Sequence, residues 1–191
     1  MKVTFSLKMI QEKVKICQKC GLCITRKNAV PGKGNQNADV VFIGEAPGKS
    51  EDLSGEPFIG IAGKILNDAL ENAGLTRNGV YITNIVKCKP PENRIPNDIE
   101  KAMCSNYLED ELAVINPKII CLLGSTSFYS ILGGKEISKN HGKFISKDNH
   151  MYFVTFHPAA TIYNQKLVNV FKNDISKLVK KLQKLKTNSV D

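Results

Sequence analysis

Four short apolar runs, at residues 40–43, 80–86, 119–123 and 152–156, constrain this chain more than any other feature. They are rich in Val, Ile and aromatic residues and are bounded by Gly, Pro, Asn or Asp, as buried strands are. Helical patterns separate them. Residues 62–73 place Ile65, Leu66, Ala69 and Leu70 on one face and close at Gly74. Asn97 and Asp98 predict the cap of a helix that runs to about Ile115 and stops before Pro117, and residues 125–132 predict a helix closed by Gly133-Gly134. A last stripe, Val168, Phe171, Ile175, Leu178, Leu182 and Leu185, repeats every three or four residues and predicts a helix docked on the domain's own core rather than on a partner. The tail 186–191 is expected to fray. Strands alternating with helices predict an α/β fold, one domain over residues 1–191 with a doubly wound, mostly parallel four-stranded sheet and helices on both faces.

At 191 residues the chain is long enough to bury a hydrophobic core without cross-links. Its 27 Lys and Arg against 18 Asp and Glu leave a net charge of +9, which suits a polyanionic partner and equally a solvated lysine-rich surface. The first eight residues, 1–8, lack the apolar core and cleavage site of a secretory signal, and no apolar run approaches the roughly 20 residues of a spanning helix. The expected location is therefore the cytoplasm, near the nucleoid, with no membrane partner. There thiols stay reduced, and paired cysteines bind metal more often than they form disulfides.

Cys17 and Cys20 form one close pair, and Cys88 with Cys104 form a second, distant one. Four thiolates drawn from separate segments can staple a fold around a metal ion or an iron–sulfur cluster, and zinc also satisfies the count. Cys23 offers a competing arrangement, Cys17-x2-Cys20-x2-Cys23, while Cys121 inside an apolar run reads as a small core residue. The second pair lies among Lys87, Lys89, Arg94 and Lys101, a cationic neighbourhood suited to nucleic acid.

In a doubly wound sheet, ligands bind beyond the carboxyl ends of the strands. There the four runs deliver Gly44-Glu45-Ala46-Pro47-Gly48, Thr83-Asn84, Gly124-Ser125-Thr126-Ser127 and His157-Pro158-Ala159-Ala160. Singly, each has an ordinary reading: a βα turn, a loop cap, a helix N-cap, a core histidine. Together, an acid, an amide, hydroxyls and an imidazole at one sheet edge predict a catalytic crevice.

The ordered motifs resemble family 4 uracil-DNA glycosylases, the iron–sulfur type of archaea and bacteria. The resemblance rests on Gly44 to Gly48, on Glu51-Asp52, and on Gly55-Glu56-Pro57-Phe58-Ile59-Gly60. It continues through Tyr81-Ile82-Thr83-Asn84-Ile85-Val86-Lys87-Cys88-Lys89-Pro90-Pro91, Asn93-Arg94-Ile95-Pro96 and Thr155-Phe156-His157-Pro158-Ala159, so it spans residues 17–178. It implies excision of uracil from DNA by hydrolysis of the N-glycosidic bond, the opening step of base excision repair. It also implies a [4Fe–4S] cluster on Cys17, Cys20, Cys88 and Cys104, with Cys23 the alternative fourth ligand.

The same resemblance implies roles for single residues. Phe58 stacks on the extruded base, Asn84 pairs with uracil N3–H and O4, and His157 donates to O2 as charge builds there. The backbone of Gly44, Glu45 and Ala46 assists. Better-known relatives carry aspartate where this chain has Ala46, so Glu45 becomes the candidate for orienting water. Gly48 stands where those relatives carry a tyrosine that blocks the thymine methyl, which leaves Glu45 and Phe58 as candidate barriers. Tyr163 or Leu167 would fill the vacated stack, with Lys166 beside them. Ser125 and Ser127 would grip phosphate, and Lys87, Lys89, Arg94 and Lys101 would add salt-dependent affinity. The expected partner is uracil-containing DNA, double- or single-stranded, met by a monomer that repair or replication proteins could join. Two rivals stand: a non-catalytic iron–sulfur DNA-binding module on the same fold, and an α/β hydrolase or an enzyme of small nucleotides. The second lacks a Gly-x4-Gly-Lys-Ser/Thr loop and a Gly-x-Ser-x-Gly elbow.

Overall fold

The computed structural model describes residues 6–187. Six strands form one sheet in the order β1-β3-β2-β4-β6-β5: β1 Lys33–Gly34, β2 Val40–Gly44, β3 Tyr81–Asn84, β4 Ile119–Leu123, β5 Lys143–Lys147 and β6 His150–Thr155. The four predicted strands are the parallel centre, β3-β2-β4-β6. The expected count of four is corrected to six, because β1 and β5 add antiparallel edges. Neither edge carries an apolar run. β1 has two exposed residues, and β5 is flanked by Lys143 and Lys147, a composition that blunts an exposed edge.

The helices are α1 Leu7–Lys15, α2 Leu22–Thr25, α3 Lys49–Ser54, α4 Ile61–Asn72, α5 Asp98–Ile115, α6 Ser125–Leu132, α7 Ile137–Asn140, α8 Ala160–Tyr163 and α9 Lys166–Thr187. Asn97 caps α5 as expected: its side chain accepts from the Glu100 N–H, and the Glu100 carboxylate accepts in return from the Asn97 N–H. The tail expected to fray from Lys186 is helical through Thr187, and Lys186 pairs with Asp39 at 2.7 Å. The rest of that tail, 188–191, lies outside the described residues.

Because strand side chains alternate, the central strands feed two cores. Val41, Ile43, Tyr81, Ile120, Leu122 and Val154 face one side, against Ile10 and Val14 of α1, Leu108 and Ile115 of α5 and Phe128 of α6. Val40, Phe42, Ile82, Cys121, Leu123 and Phe153 face the other, against Leu66 and Leu70 of α4 and Phe171, Ile175 and Leu178 of α9. The α9 stripe thus docks on its own sheet, and Cys121 is a fully buried core residue. Among the described residues no helix is long and apolar enough to cross a membrane.

One polar network penetrates the first core. Lys87 and Glu111 are 1% and 0% exposed, and the ammonium meets the carboxylate at 2.7 Å. Lys87 Nζ also donates to Thr83 Oγ1 and to the Asn84 carbonyl. Glu111 further accepts from the Gly32 N–H, the Tyr81 hydroxyl and the Thr83 hydroxyl. Burial, reinforced by the neighbouring Glu111 carboxylate, pushes the Tyr81 phenol far up, so it stays a donor. Removing one partner of such a pair strands the other's charge, a loss of about 3–5 kcal/mol. Glu111→Leu should therefore lower the denaturant midpoint sharply. Adding Lys87→Met should recover part of that loss, and strictly additive losses would contradict the pairing.

Candidate active site

The sheet order reverses at β2 and β4: the chain leaves β2 towards β3 on one side and leaves β4 towards β6 on the other. A crevice opens beyond the strand ends at that switch point. Its walls include Glu45, Ala46, Gly48, Phe58, Asn84, Asn93, Arg94, His157 and Ala159, drawn from five separate segments.

Asn84, the last residue of β3, forms the floor. It pairs in register with Gly44 of β2 and is 2% exposed, and its Oδ1 is buried without a hydrogen-bond partner among the described residues. An unpaired buried acceptor costs about 1–3 kcal/mol, so a site that keeps one is prepared for a donor from outside. Gly44 makes room for it. A Cβ there would lie 2.5 Å from Asn84 Oδ1 and 2.6 Å from Phe58 Cζ.

Phe58 lines the pocket with a buried ring, tilted 38° to the His157 ring at 5.7 Å between centroids. Its backbone is left-handed, φ 53°, a strained conformation for a bulky residue. Two residues without an assigned role in the sequence reading hold it there. Arg77 donates to the carbonyls of Pro57 and Phe58. Glu51 accepts from the N–H groups of Ile59 at 2.9 Å and Gly60 at 2.8 Å with one oxygen, and from Gly48 at 3.1 Å with the other. Glu51 thereby ties the turn after β2 to the loop that carries Phe58. In sequence it stands out only as part of the Glu51-Asp52 step of the family motif, with no role attached.

Glu45 and His157 line the same crevice. Glu45 Oε2 accepts a short hydrogen bond from Thr126 Oγ1, which pins the carboxylate across the switch point. Of the three hydroxyls after β4, Thr126 engages the site. Ser125 is exposed at the start of α6, whereas Ser127 is sealed and donates to the Gly124 carbonyl at 3.0 Å. The expectation that Ser127 grips phosphate is therefore corrected: its hydroxyl is spent inside the helix turn. Gly124, at φ +90°, lets the chain pass His157, where a Cβ would approach the His157 Cβ to 2.9 Å.

His157 Nδ1 accepts from the Ala159 N–H at 3.2 Å, which assigns the proton of the neutral ring to Nε2. Burial drives the imidazole from its ordinary 6.5 down to about 4, against a weaker upward pull from Glu51. At neutral pH the ring is thus an uncharged donor.

The cysteines gather elsewhere. Cys17, Cys20, Cys23, Cys88 and Cys104 ring one small pocket together with Arg26, Lys87 and Tyr107. Burial pushes the Cys88 thiol up to about 11 although Arg26 opposes it, and burial likewise raises Cys104. Among the described residues no three His, Cys, Asp or Glu side chains are arranged to hold a single metal ion.

The cationic set divides. Lys87 is buried against Glu111, so its expected place among the phosphate-binding lysines is corrected. Arg94 forks onto Glu100 at 2.7 and 2.8 Å, Lys101 pairs with Asp98, and Lys89 is half-buried with Nζ 3.3 Å from the Pro90 carbonyl. Tyr163 is 90% exposed at the end of α8, Lys166 is exposed at the start of α9, and Leu167 is half-buried.

Residues 31–183 match the model of the Uracil DNA glycosylase superfamily. The chain belongs to that superfamily. It is 45% identical to the Type-4 uracil-DNA glycosylase of Saccharolobus solfataricus, over 91% of this chain and 85% of that protein. With the Type-4 uracil-DNA glycosylase of Archaeoglobus fulgidus the identity is 41%, over 91% and 92% of the two chains. With that of Thermotoga maritima it is 39%, over 90% and 92%. For a uracil DNA glycosylase superfamily member, a crevice at this switch point holding Glu45, Phe58, Asn84 and His157 is the place to expect its chemistry.

Two expectations test this geometry. The His157 ring signal should show no titration between about pH 5.5 and 8 and a midpoint near 4. The folded ring stays neutral where the unfolded one takes a proton. Its contribution to stability is therefore complete above 6.5 and is lost as the pH falls towards 4. A midpoint near 6.5 would place the ring in water. Gly44→Ala should keep the circular dichroism spectrum and abolish activity, because its Cβ displaces the Asn84 amide and the Phe58 ring.

Proposed function

We propose that the chain is a uracil-DNA glycosylase that hydrolyses the N-glycosidic bond of deoxyuridine in DNA and so opens base excision repair. The observation that carries the reading is the buried Oδ1 of Asn84, unpartnered among the described residues, in a crevice that Phe58 and His157 also line. Asn84 Oδ1 accepts from uracil N3–H, and its amide nitrogen donates to O4. Cytosine reverses that pattern, which leaves two buried groups unpaired and makes discrimination steep.

The nucleotide leaves the stack before reaction, and its base lies against Phe58, a contact worth roughly 1–3 kcal/mol. As the bond to the sugar lengthens, negative charge grows on O2, and His157 Nε2–H donates to it. A neutral ring suffices, since the bond strengthens as the charge develops. Glu45, held by Thr126, orients the water that attacks the cationic sugar. Exposed Ser125, Tyr163 and Lys166 face the DNA, with Arg94 and Lys89 at the rim supplying phosphate contacts. The enzyme acts as a monomer in the cytoplasm, on double- or single-stranded substrate, with repair or replication proteins as further partners.

A [4Fe–4S] cluster fits the cysteine pocket, with Cys17, Cys20, Cys88 and Cys104 as ligands. Cys88 interacts electrostatically with Cys104 and Cys20, and Cys104 with Cys17 and Cys20. Two N–H groups already aim at sulfur: Arg26 Nη1 donates to Cys88 at 2.8 Å, and the Lys87 N–H donates to Cys104 at 3.3 Å. The bound cluster supplies a cross-link between distant segments and takes no part in hydrolysis.

The purified protein should cleave a uracil oligonucleotide, after alkali, and spare matched thymine and cytosine ones. His157→Ala should bind uracil duplex almost normally and cleave about 100- to 1,000-fold more slowly in a single turnover. Weak binding with an untouched cleavage step would move the oxyanion role elsewhere. Anaerobically purified protein should be brown, with iron and sulfide each near about four. Cys121→Ala should keep both, while stoichiometric zinc in colourless protein would remove the cluster.

A further inference from the structure

Arg26 stands just beyond α2, in extended backbone, and its side chain turns back into the cysteine pocket. Nη1 donates to Cys88 Sγ at 2.8 Å. Nη2 donates to the Cys17 carbonyl at 2.6 Å and to the Lys15 carbonyl at 3.4 Å. One guanidinium therefore bridges the first cysteine segment and a thiol 62 residues further along the chain. Among the described residues it meets no carboxylate.

The other cation at this pocket is differently placed. The Lys87 ammonium is paired with Glu111 and reaches Cys104 through its field, while the hydrogen bond that Lys87 gives the cysteines comes from its backbone N–H. Lys19 lines the pocket too, but its ammonium lies over the Tyr107 ring, 4.5 Å from the centroid. Among the described residues, Arg26 is the one cationic side chain that hydrogen-bonds a cysteine sulfur.

We propose that Arg26 is a positioning residue for the cluster, setting its reduction potential and guarding it against oxidative loss through the charged N–H···S bond to Cys88. The inference rests on the cluster reading above. Net charge and hydrogen bonds to sulfur are two of the protein's levers on such potentials. A cation on a ligand sulfur stabilises the electron-rich member of the couple more than the electron-poor one, so it raises the midpoint. Oxidation removes one electron from the cluster, and an oxidant such as ferricyanide takes it, its Fe(III) becoming Fe(II). With Arg26 present that transfer is less favourable.

Voltammetry of the loaded protein decides the matter, with Arg26→Gln keeping an N–H donor without charge and Arg26→Lys keeping charge without the fork. The midpoint should fall in the order wild type, Lys, Gln. At a fixed applied potential the Gln variant should show at least a tenfold larger oxidised-to-reduced ratio, equivalent to 59 mV for one electron. Bleaching of the brown absorbance by ferricyanide should quicken in the same order. An unchanged midpoint in loaded Arg26→Gln overturns the proposal while leaving the cluster itself intact. Colourless, iron-free wild type overturns the cluster reading instead. If Gln fails to load and Lys loads normally, the charge is needed and the proposal stands. If neither loads, Arg26 serves the backbone it bonds at Cys17 and Lys15, and the proposal falls.

Discussion

The Lys87 ammonium is the contact on which the two functional regions depend. It donates to the Asn84 carbonyl, to Thr83 and to Glu111, while the backbone N–H of the same residue donates to Cys104. The strand end that carries Asn84 and the Cys104 sulfur are thus fixed by one side chain and its own backbone. A buried pair alone is weak evidence of stability, since desolvation offsets most of its attraction. Here every strong polar atom in the network is bonded, so the gain is uniqueness of geometry. Glu111 takes donors from β3, from the loop before β1 and from Lys87, which leaves β3 little freedom to slide relative to α5. Asn84 consequently presents its amide at a defined height above the sheet.

Strain on the other side of the crevice serves the same end. Phe58 sits at φ 53° because Arg77 grips its carbonyl and Glu51 takes the two N–H groups that follow. A left-handed bulky residue persists only where its surroundings over-determine it, at a cost of order 1–3 kcal/mol. The stacking surface is therefore in place before any base arrives. Glu51 also reaches Gly48, so the turn bearing Glu45 and the loop bearing Phe58 move as one body.

Much of this was legible in the chain itself, and the parts that were not share a cause. The central strands, the cap at Asn97 and the α9 stripe announce themselves through local periodicity and cap chemistry. The edges β1 and β5 do not, because exposed edge strands need no apolar run. Lys87 looks like one more cation beside Lys89, and only the fold brings Glu111, 24 residues away, against it. Among Ser125, Thr126 and Ser127, composition cannot choose. The helix turn chooses, by pointing Thr126 at Glu45 and Ser127 at its own backbone. The candidate site residues Glu45, Asn84 and His157 were visible as rare residue types at predicted strand ends, and the structure brings them to one crevice. Supporting positions such as Glu51 and Arg77 were hidden, because their work lies in contacts across loops.

On the proposed reading, the crevice suits a leaving base more than a resting one. Two of its polar groups, the amide oxygen of Asn84 and the neutral imidazole of His157, carry no net charge. A protonated histidine would attract any phosphate on a chain of net charge +9 already suited to polyanions. In the proposed mechanism a neutral Nε2–H would bind uncharged uracil weakly and gain strength only as O2 becomes anionic, which would concentrate the interaction in the transition state. Affinity for DNA can then come from exposed cations outside the pocket, uniformly along the strand. On the proposed reading, discrimination would come from Asn84, whose buried oxygen stays unpaired for every base that fails to bring a donor. Separating those two tasks lets the enzyme hold any sequence and commit to chemistry only on the base that completes the floor.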